Sequence, residues 1–139
     1  MSAVEFFKAS AFAVVGASAD RSKFGNRVLR WYLENAAGAS LFPINPKAPE
    51  IEGVPALQSL RALPNPAATS VSVITPPAVT EAVLREAVEL GIRNVWLQPG
   101  SESAAGMQYA RDHGVNVIGG GPCILVSGAA AKAEAAARL

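Results

Sequence analysis

Residues 12–18, Phe-Ala-Val-Val-Gly-Ala-Ser, limit the fold more than any other stretch of the chain. Four apolar residues run into Gly16, and after a small polar loop a helical pattern opens at Gly25. A buried strand, a tight turn and a helix N-terminus read this way. Such a turn leaves backbone N–H groups at the positive end of a helix dipole. Gly16, Ala17 and Ser18 therefore form a candidate anion seat, with Gly25 and Asn26 at the helix entry. A phosphate-bearing nucleotide is the first expectation.

Strand and helix patterns alternate along the rest of the chain, with no sequence repeat. Residues 1–11 are expected as a short leading helix or arm, with Val4, Phe6 and Phe7 to pack on the body. Val28, Leu29, Tyr32 and Leu33 share one helical face after Gly25, and Gly38 suits the C′ position that ends that helix. Residues 40–44 predict a second strand, stiffened at its exit by Pro43 and Pro46. An extended piece at 53–55, a short helix at 57–63 and a turn at Asn65-Pro66 lead to a β-branched strand at 70–75. Pro77 then sits in the first turn of a helix closed by Gly91. Residues 94–97 predict another strand, after which Ser101 or Ser103 caps a helix that reaches His113 and ends at Gly114. Residues 115–118 predict the last strand, and the alanine-rich tail after Gly128 a loosely docked or frayed helix.

Strands alternating with helices imply a parallel sheet covered on both faces, and right-handed crossovers make it a Rossmann-like, doubly wound α/β fold. One domain over residues 1–139 is expected, with its core at about 5–127 and the alanine-rich stretch at 128–139. Sheets of this kind bind ligands outside the carboxyl ends of their strands. Gly16-Ala17-Ser18, Asn45-Pro46-Lys47, Thr75-Pro76-Pro77 and Gln98-Pro99-Gly100 all fall at such ends, so one shared site is expected.

Composition narrows the function classes. Half of the 139 residues are apolar and 17% are charged, which suits one substantial core rather than a disordered chain. A formal net charge of +1 supplies no global field for nucleic acid or an acidic membrane. Cys123 is the only cysteine, so an intramolecular disulfide and a Cys-rich zinc site are excluded. No run approaches the ~20 apolar residues of a membrane span. Residues 1–10 carry Glu5 and Lys8 and do not read as a signal peptide, so the cytoplasm is the default expectation. No metal-ligand cluster, catalytic triad or acid pair is apparent, which favours a binding module over an enzyme.

The identity of the nucleotide turns on two positions. A dinucleotide fingerprint needs G-x-G-x-x-G after the first strand. Here Gly16 is followed by Ala17, Ser18 and Ala19, and the next glycine is Gly25. An acidic residue at the end of the second strand would hold a free ribose hydroxyl, but Asn45-Pro46-Lys47 stands there. A lysine suits a phosphorylated ribose, which carries about two negative charges. On electrostatics alone coenzyme A and NADP both stay open; the missing glycines count against NADP.

Val14-Val15-Gly16-Ala17-Ser18, Lys23-x-Gly25, Pro43-x-Asn45-Pro46-Lys47, Thr75-Pro76-Pro77, Trp96-Leu97-Gln98-Pro99-Gly100 and the late Cys123 follow one another in order. Together they resemble the small stand-alone CoA-binding domain proteins, which are similar to the nucleotide domain of the succinyl-CoA synthetase α subunit. The resemblance covers about residues 5–127. It implies a site in which Gly16 and Ser18 hold phosphate, Lys23 is a second phosphate contact and Lys47 faces the 3′-phosphate. Thr75, Pro76 and Pro77 would line the adenine and pantetheine side, with Gln98, Pro99 and Gly100 completing the rim. The chain departs from the family pattern at Gly121-Pro122-Cys123, where many members place Arg or Asn before the cysteine.

The resemblance implies CoA or an acyl-CoA as ligand, and a role as carrier, sensor or partner subunit, in a homo-oligomer or beside an enzyme subunit. The synthetase reaction runs through a phosphohistidine on a further domain, whereas His113 is the only histidine here and complements a helix dipole. Two other classes stay open: an NADP-binding oxidoreductase or redox-sensing module, and an interaction subunit with a vestigial pocket. Trp31, Tyr32 and Trp96 are expected as core or interface anchors, and Cys123 as a small buried or half-buried residue. Arg21 and Lys23 also fit ordinary loop charges.

Overall fold

The structure, a computed structural model, describes residues 3–121 and 123–137. Its main sheet is parallel and contains β1 (Ala11–Val15), β2 (Ser40–Ile44), β5 (Thr69–Val73), β6 (Asn94–Leu97) and β7 (Asn116–Ile118). A two-stranded antiparallel hairpin, β3 (Glu50–Ile51) and β4 (Val54–Pro55), interrupts the crossover from β2 to β5. The helices are α1 (Ala3–Phe6), α2 (Phe24–Asn35), α3 (Pro77–Leu90), α4 (Ala104–Asp112) and α5 (Ile124–Ala137). Strand order across the main sheet is β2-β1-β5-β6-β7. The chain thus leaves β1 to one side for β2 and returns to its other side for β5. This is the Rossmann-like α/β arrangement expected from the sequence, with its order reversing between β1 and β5.

Burial on both faces explains why the strands are apolar at nearly every position. Phe12, Val14 and Trp96 face a cluster that includes Phe6, Phe7, Leu29, Trp31, Tyr32 and Ile124, from α1 and the residue after it, α2 and α5. Ala13, Val15, Val71, Val73, Val95 and Leu97 face Leu60, Leu63, Leu84 and Ala110 on the other side. Each fully buried Val, Leu or Phe contributes about 1.5–3 kcal/mol. Two serines of β5 interrupt the apolar run and are fully buried. The Ser70 hydroxyl donates to the Phe6 carbonyl at 2.7 Å, and the Ser72 and Tyr32 hydroxyls share a 2.7 Å hydrogen bond. An unpaired buried hydroxyl would cost about 1–3 kcal/mol, so these pairs fix α1 and α2 to the sheet. Burial pushes the Tyr32 phenol well above its ordinary range, outweighing the Ser72 hydrogen bond.

Several local expectations change. The leading helix is only Ala3–Phe6, with Met1 and Ser2 outside the described residues. α2 ends with Ala36 at its cap, whose N–H donates to the Tyr32 carbonyl at 2.7 Å. Gly38 has no positive φ and is not the C′ residue, because the helix closes before reaching it. The strand expected at 70–75 stops at Val73, which frees Ile74 and Thr75 to turn. The extended piece at 53–55 is one arm of the hairpin, and the helix expected at 57–63 is a 3-10 turn, Leu60–Ala62. Ser103 caps α4 by accepting from the Gly106 N–H at 3.1 Å, while Ser101 serves elsewhere. The alanine-rich stretch continues α5 to Ala137 and docks through the buried Gly128 and Ala135, while positions 138 and 139 of that stretch lie outside the described residues. A Cβ on Gly128 would lie 2.6 Å from Trp31 Cζ2, so its bare backbone lets α5 close onto that indole.

Both sheet edges are blunted. Pro43 sits in β2, where an edge strand tolerates its missing donor. Leu57 bridges Ile44 outside it, donating to the Pro43 carbonyl at 2.8 Å and accepting from Asn45 N–H at 2.9 Å. At the other edge β7 has three residues, and Arg111 Nη2 donates to the Val117 carbonyl at 3.0 Å. No helix among the described residues is long and apolar enough to cross a membrane.

Candidate functional site

The β1–α2 turn is fastened by two glycines. Gly16 adopts φ +92°, and a Cβ there would stand 2.1 Å from the Ile74 carbonyl oxygen. Ile74 N–H donates to the Val15 carbonyl at 2.8 Å, so the exits of β1 and β5 are in direct contact at the point where strand order reverses. Gly25, in the first turn of α2, stands so close to the same loop that a Cβ would come within 2.0 Å of the Gly16 oxygen. The helix entry is left bare: Lys23 occupies the N-cap position in extended conformation with no side-chain cap. Opening N–H groups of such a helix attract an anion.

The loop before α2 holds itself together. Ser18 Oγ accepts from Asp20 N–H at 3.1 Å, and Asp20 Oδ1 accepts from the Ser22 N–H and hydroxyl at 2.9 and 2.7 Å. These Ser22 hydrogen bonds, with a smaller contribution from the Lys23 charge, hold the Asp20 carboxyl below its ordinary value. Asn26, expected at the site, is instead a brace. It is fully buried; its Nδ2 donates to the Ser18 carbonyl at 2.8 Å and Glu52 Oε2 at 3.0 Å. Its Oδ1 accepts from Arg30 Nε at 2.8 Å, and Arg30 also donates to the Arg21 carbonyl at 3.0 Å. Arg21 in turn pairs with Glu52 and is thereby more than a solvated loop charge. Glu52 sits at the hairpin tip with φ +52°, a conformation L side chains adopt reluctantly. The Asn26 hydrogen bond foremost, aided by Arg21 and Arg30 and opposed by partial desolvation, holds the Glu52 carboxyl below its ordinary value.

Asn45 carries the second loop to the first. Its Oδ1 accepts from Lys47 and Ala48 N–H at 2.8 and 3.0 Å, and its Nδ2 donates to the Ala17 carbonyl at 3.0 Å. Lys47 is left exposed, its side chain without an ion pair among the described residues.

A cleft of about 270 Å³ opens between these loops. Of the residues expected at the site it brings together Gly16, Ala17, Asn45, Pro46 and Thr75. Val15 and Ile44 form its floor, and Val79, Val83 and Glu86 of α3 line its flank. Gln58, Ser59 and Leu60 complete it and were not expected; the Leu57 bridge to β2 that places them has no periodic signal. Pro76 and Pro77 are exposed at the N-cap and first position of α3, where they set its start and bring Val79 to the cleft. Thr75 has its hydroxyl engaged with Thr80 at 2.7 Å, and its N–H donates to Ser101 Oγ at 3.1 Å.

The β6 exit contributes no residue to the lining of this cleft. Gln98 is fully buried, which corrects its expected place on a rim. Its Oε1 accepts from Ile124 N–H at 2.9 Å, joining β6 to the start of α5, while its Nε2 has no partner. Pro99 and Gly100 are exposed, and Gly100 N–H donates to Glu102 Oε1 at 2.9 Å. Cys123 is half-buried beside α5, and Pro122 lies outside the described residues. Among the described residues no group of three or more His, Cys, Asp or Glu side chains could hold a metal ion.

A profile for the CoA binding domain matches residues 10–129, and the chain belongs to that family. It is similar to subunit alpha of the ADP-forming acetate–CoA ligase II of Pyrococcus furiosus, at 26% identity over 124 residues. That match takes in 82% of this chain and 27% of the relative, so the chain spans about a quarter of that protein's length. Among solved structures, a conserved hypothetical protein from Pyrococcus furiosus superimposes with a TM-score of 0.75 at 37% identity, covering 84% of this chain and 97% of that one. The dinucleotide-forming acetyl-coenzyme A synthetase 1 of Ca. Korarchaeum cryptofilum, in its apo form, matches with a TM-score of 0.68 at 25% identity, covering 79% of this chain and 26% of that one.

Proposed function

We propose that this protein binds coenzyme A or an acyl-CoA across the ends of β1, β2 and β5, as a non-catalytic carrier, sensor or partner subunit. The observation that carries this reading is a largely apolar cleft beside the reversal of strand order, lined by Gly16, Ala17, Asn45 and Pro46. The loops that supply these residues also carry the uncapped start of α2 and the exposed Lys47. The ligand's chemistry matches each in turn. Its diphosphate suits the bare N–H groups of α2 and the backbone of Gly16, Ala17 and Ser18, with Lys23 at the same helix entry. Its 3′-phosphate suits Lys47, and its flat base suits a slot walled by Val15, Ile44, Pro46 and Val79. The pantetheine arm would leave along Thr75, Pro76 and Pro77 toward Pro99 and Gly100.

Within this reading Asn26 and Gly25 hold the loops, Asn45 both holds them and lines the cleft, and Gln98 supports the far end from inside. The family match and the ligase relative support CoA as the ligand.

Calorimetric titration with CoA and 3′-dephospho-CoA tests the proposal. Loss of the 3′-phosphate should weaken binding by at least about tenfold, the size of one charge-assisted contact of ~1.5 kcal/mol. Lys47→Ala should erase that difference. Equal affinity of the wild type for the two ligands removes the role given to Lys47; heat with NADP but none with CoA removes the proposal altogether.

A further inference from the structure

Two polar side chains in the cleft are left over. Gln58 is exposed and Ser59 half-buried where they line it, and among the described residues neither side chain has a hydrogen-bond partner. The other polar side chains lining it are engaged: Asn45 with Ala17, Lys47 and Ala48, Thr75 with Thr80, and Glu86 with Arg61 at 3.0 Å. The free pair is also held in place. Leu57, one residue before, is bonded to both Pro43 and Asn45, and Leu60, just after, is buried in the core. Anchors on both sides fix the backbone that presents Gln58 and Ser59 to the slot.

Apolar walls with an uncommitted carboxamide at the edge suit a planar base that carries a donor beside an acceptor. Adenine has that edge, an amino group next to a ring nitrogen, and a Gln side chain can accept from one and donate to the other. We propose that Gln58, with Ser59 beside it, reads the hydrogen-bonding edge of the adenine base and sets the base specificity of the nucleotide site. The proposal rests on the CoA reading above.

The test is calorimetric titration of the full chain with CoA and with a CoA analogue whose purine lacks the 6-amino group, for the wild type and for Gln58→Ala. The wild type should favour the adenine ligand by about fivefold, the size of one neutral hydrogen bond. Gln58→Ala should bring that ratio close to one while discrimination against 3′-dephospho-CoA persists. Gln58→Met, which keeps the volume without the polar atoms, should behave the same way. A wild type indifferent to the amino group, or a Gln58→Ala variant that keeps the full preference, overturns the assignment while CoA binding and its 3′-phosphate dependence stand. Failure of the wild type to bind CoA overturns the CoA reading and this assignment with it.

Discussion

Gly25→Ala sets two backbone effects against each other. Gly25 lies in the first turn of α2 without a positive φ, so alanine gains up to about 1 kcal/mol of helix propensity. The added Cβ would stand 2.0 Å from the Gly16 carbonyl oxygen, and Cβ contacts under 3.0 Å essentially do not occur, so turn and helix must part by about 1 Å. Both sides of this contact are backbone, and Gly16 is itself wedged against the Ile74 carbonyl, which leaves it nowhere to retreat. Over-packing of this kind costs about 1–3 kcal/mol, and with no flexible side chain to absorb the strain the upper half applies. The clash therefore wins, with a net loss of about 1–2 kcal/mol. In a chain of this length that lowers the melting midpoint by roughly 3–8 °C. Gly38→Ala is the control, since nothing lies within 4 Å of its added Cβ. It should stabilise by about 0.4–1 kcal/mol through the unfolded chain alone. Urea and thermal denaturation of both variants read the two signs directly. Gly25→Ala as stable as the wild type would mean that α2 does not press on the turn, and the proposed phosphate seat would lose its geometry.

Two further perturbations probe the supports around the site. Because the Glu52 carboxyl is held below its ordinary value, its contribution is complete above about pH 4.5 and is lost as pH falls through the folded-state value. Glu52→Gln should therefore lower the urea midpoint at neutral pH by an amount that shrinks on acidification, and a gap that stays constant would rule out the charged brace. Gly128→Val should push α5 off Trp31, costing about 1–3 kcal/mol and moving tryptophan emission to the red. Unchanged stability and emission would show that α5 does not rest on that indole.

The frame of the molecule is legible because its strands carry strong local signals. Short runs rich in apolar and β-branched residues that lead into Gly16, Asn45, Thr75 or Gln98 mark the strand ends to within about two residues, without help from tertiary contacts. What stays hidden is set by single contacts between distant segments. A two-residue strand such as Glu50–Ile51 has no periodicity to read, so neither the hairpin nor the Leu57 bridge that delivers Gln58 to the cleft is visible in sequence. Polar residues at helix starts and strand ends face either way: Asn26 in the first turn of α2 and Gln98 after β6 look like ligand contacts but point into the protein, where backbone groups need their amides. The close approach of α5 depends on Gly128 meeting Trp31, and alanine-rich composition by itself reads only as weak packing.

A parallel sheet with raw edges invites its own copies to continue the ladder. Here Pro43 and Leu57 shield one flank, while three-residue β7 and the guanidinium of Arg111 close the other. The sheet needs no neighbouring domain to keep it from growing, which makes the fold portable. The same architecture can recur in a chain of about this size, as in the Pyrococcus furiosus protein whose structure it matches nearly end to end. It can equally be carried as one part among several, since the matching stretch of the acetate–CoA ligase subunit is only 27% of that chain.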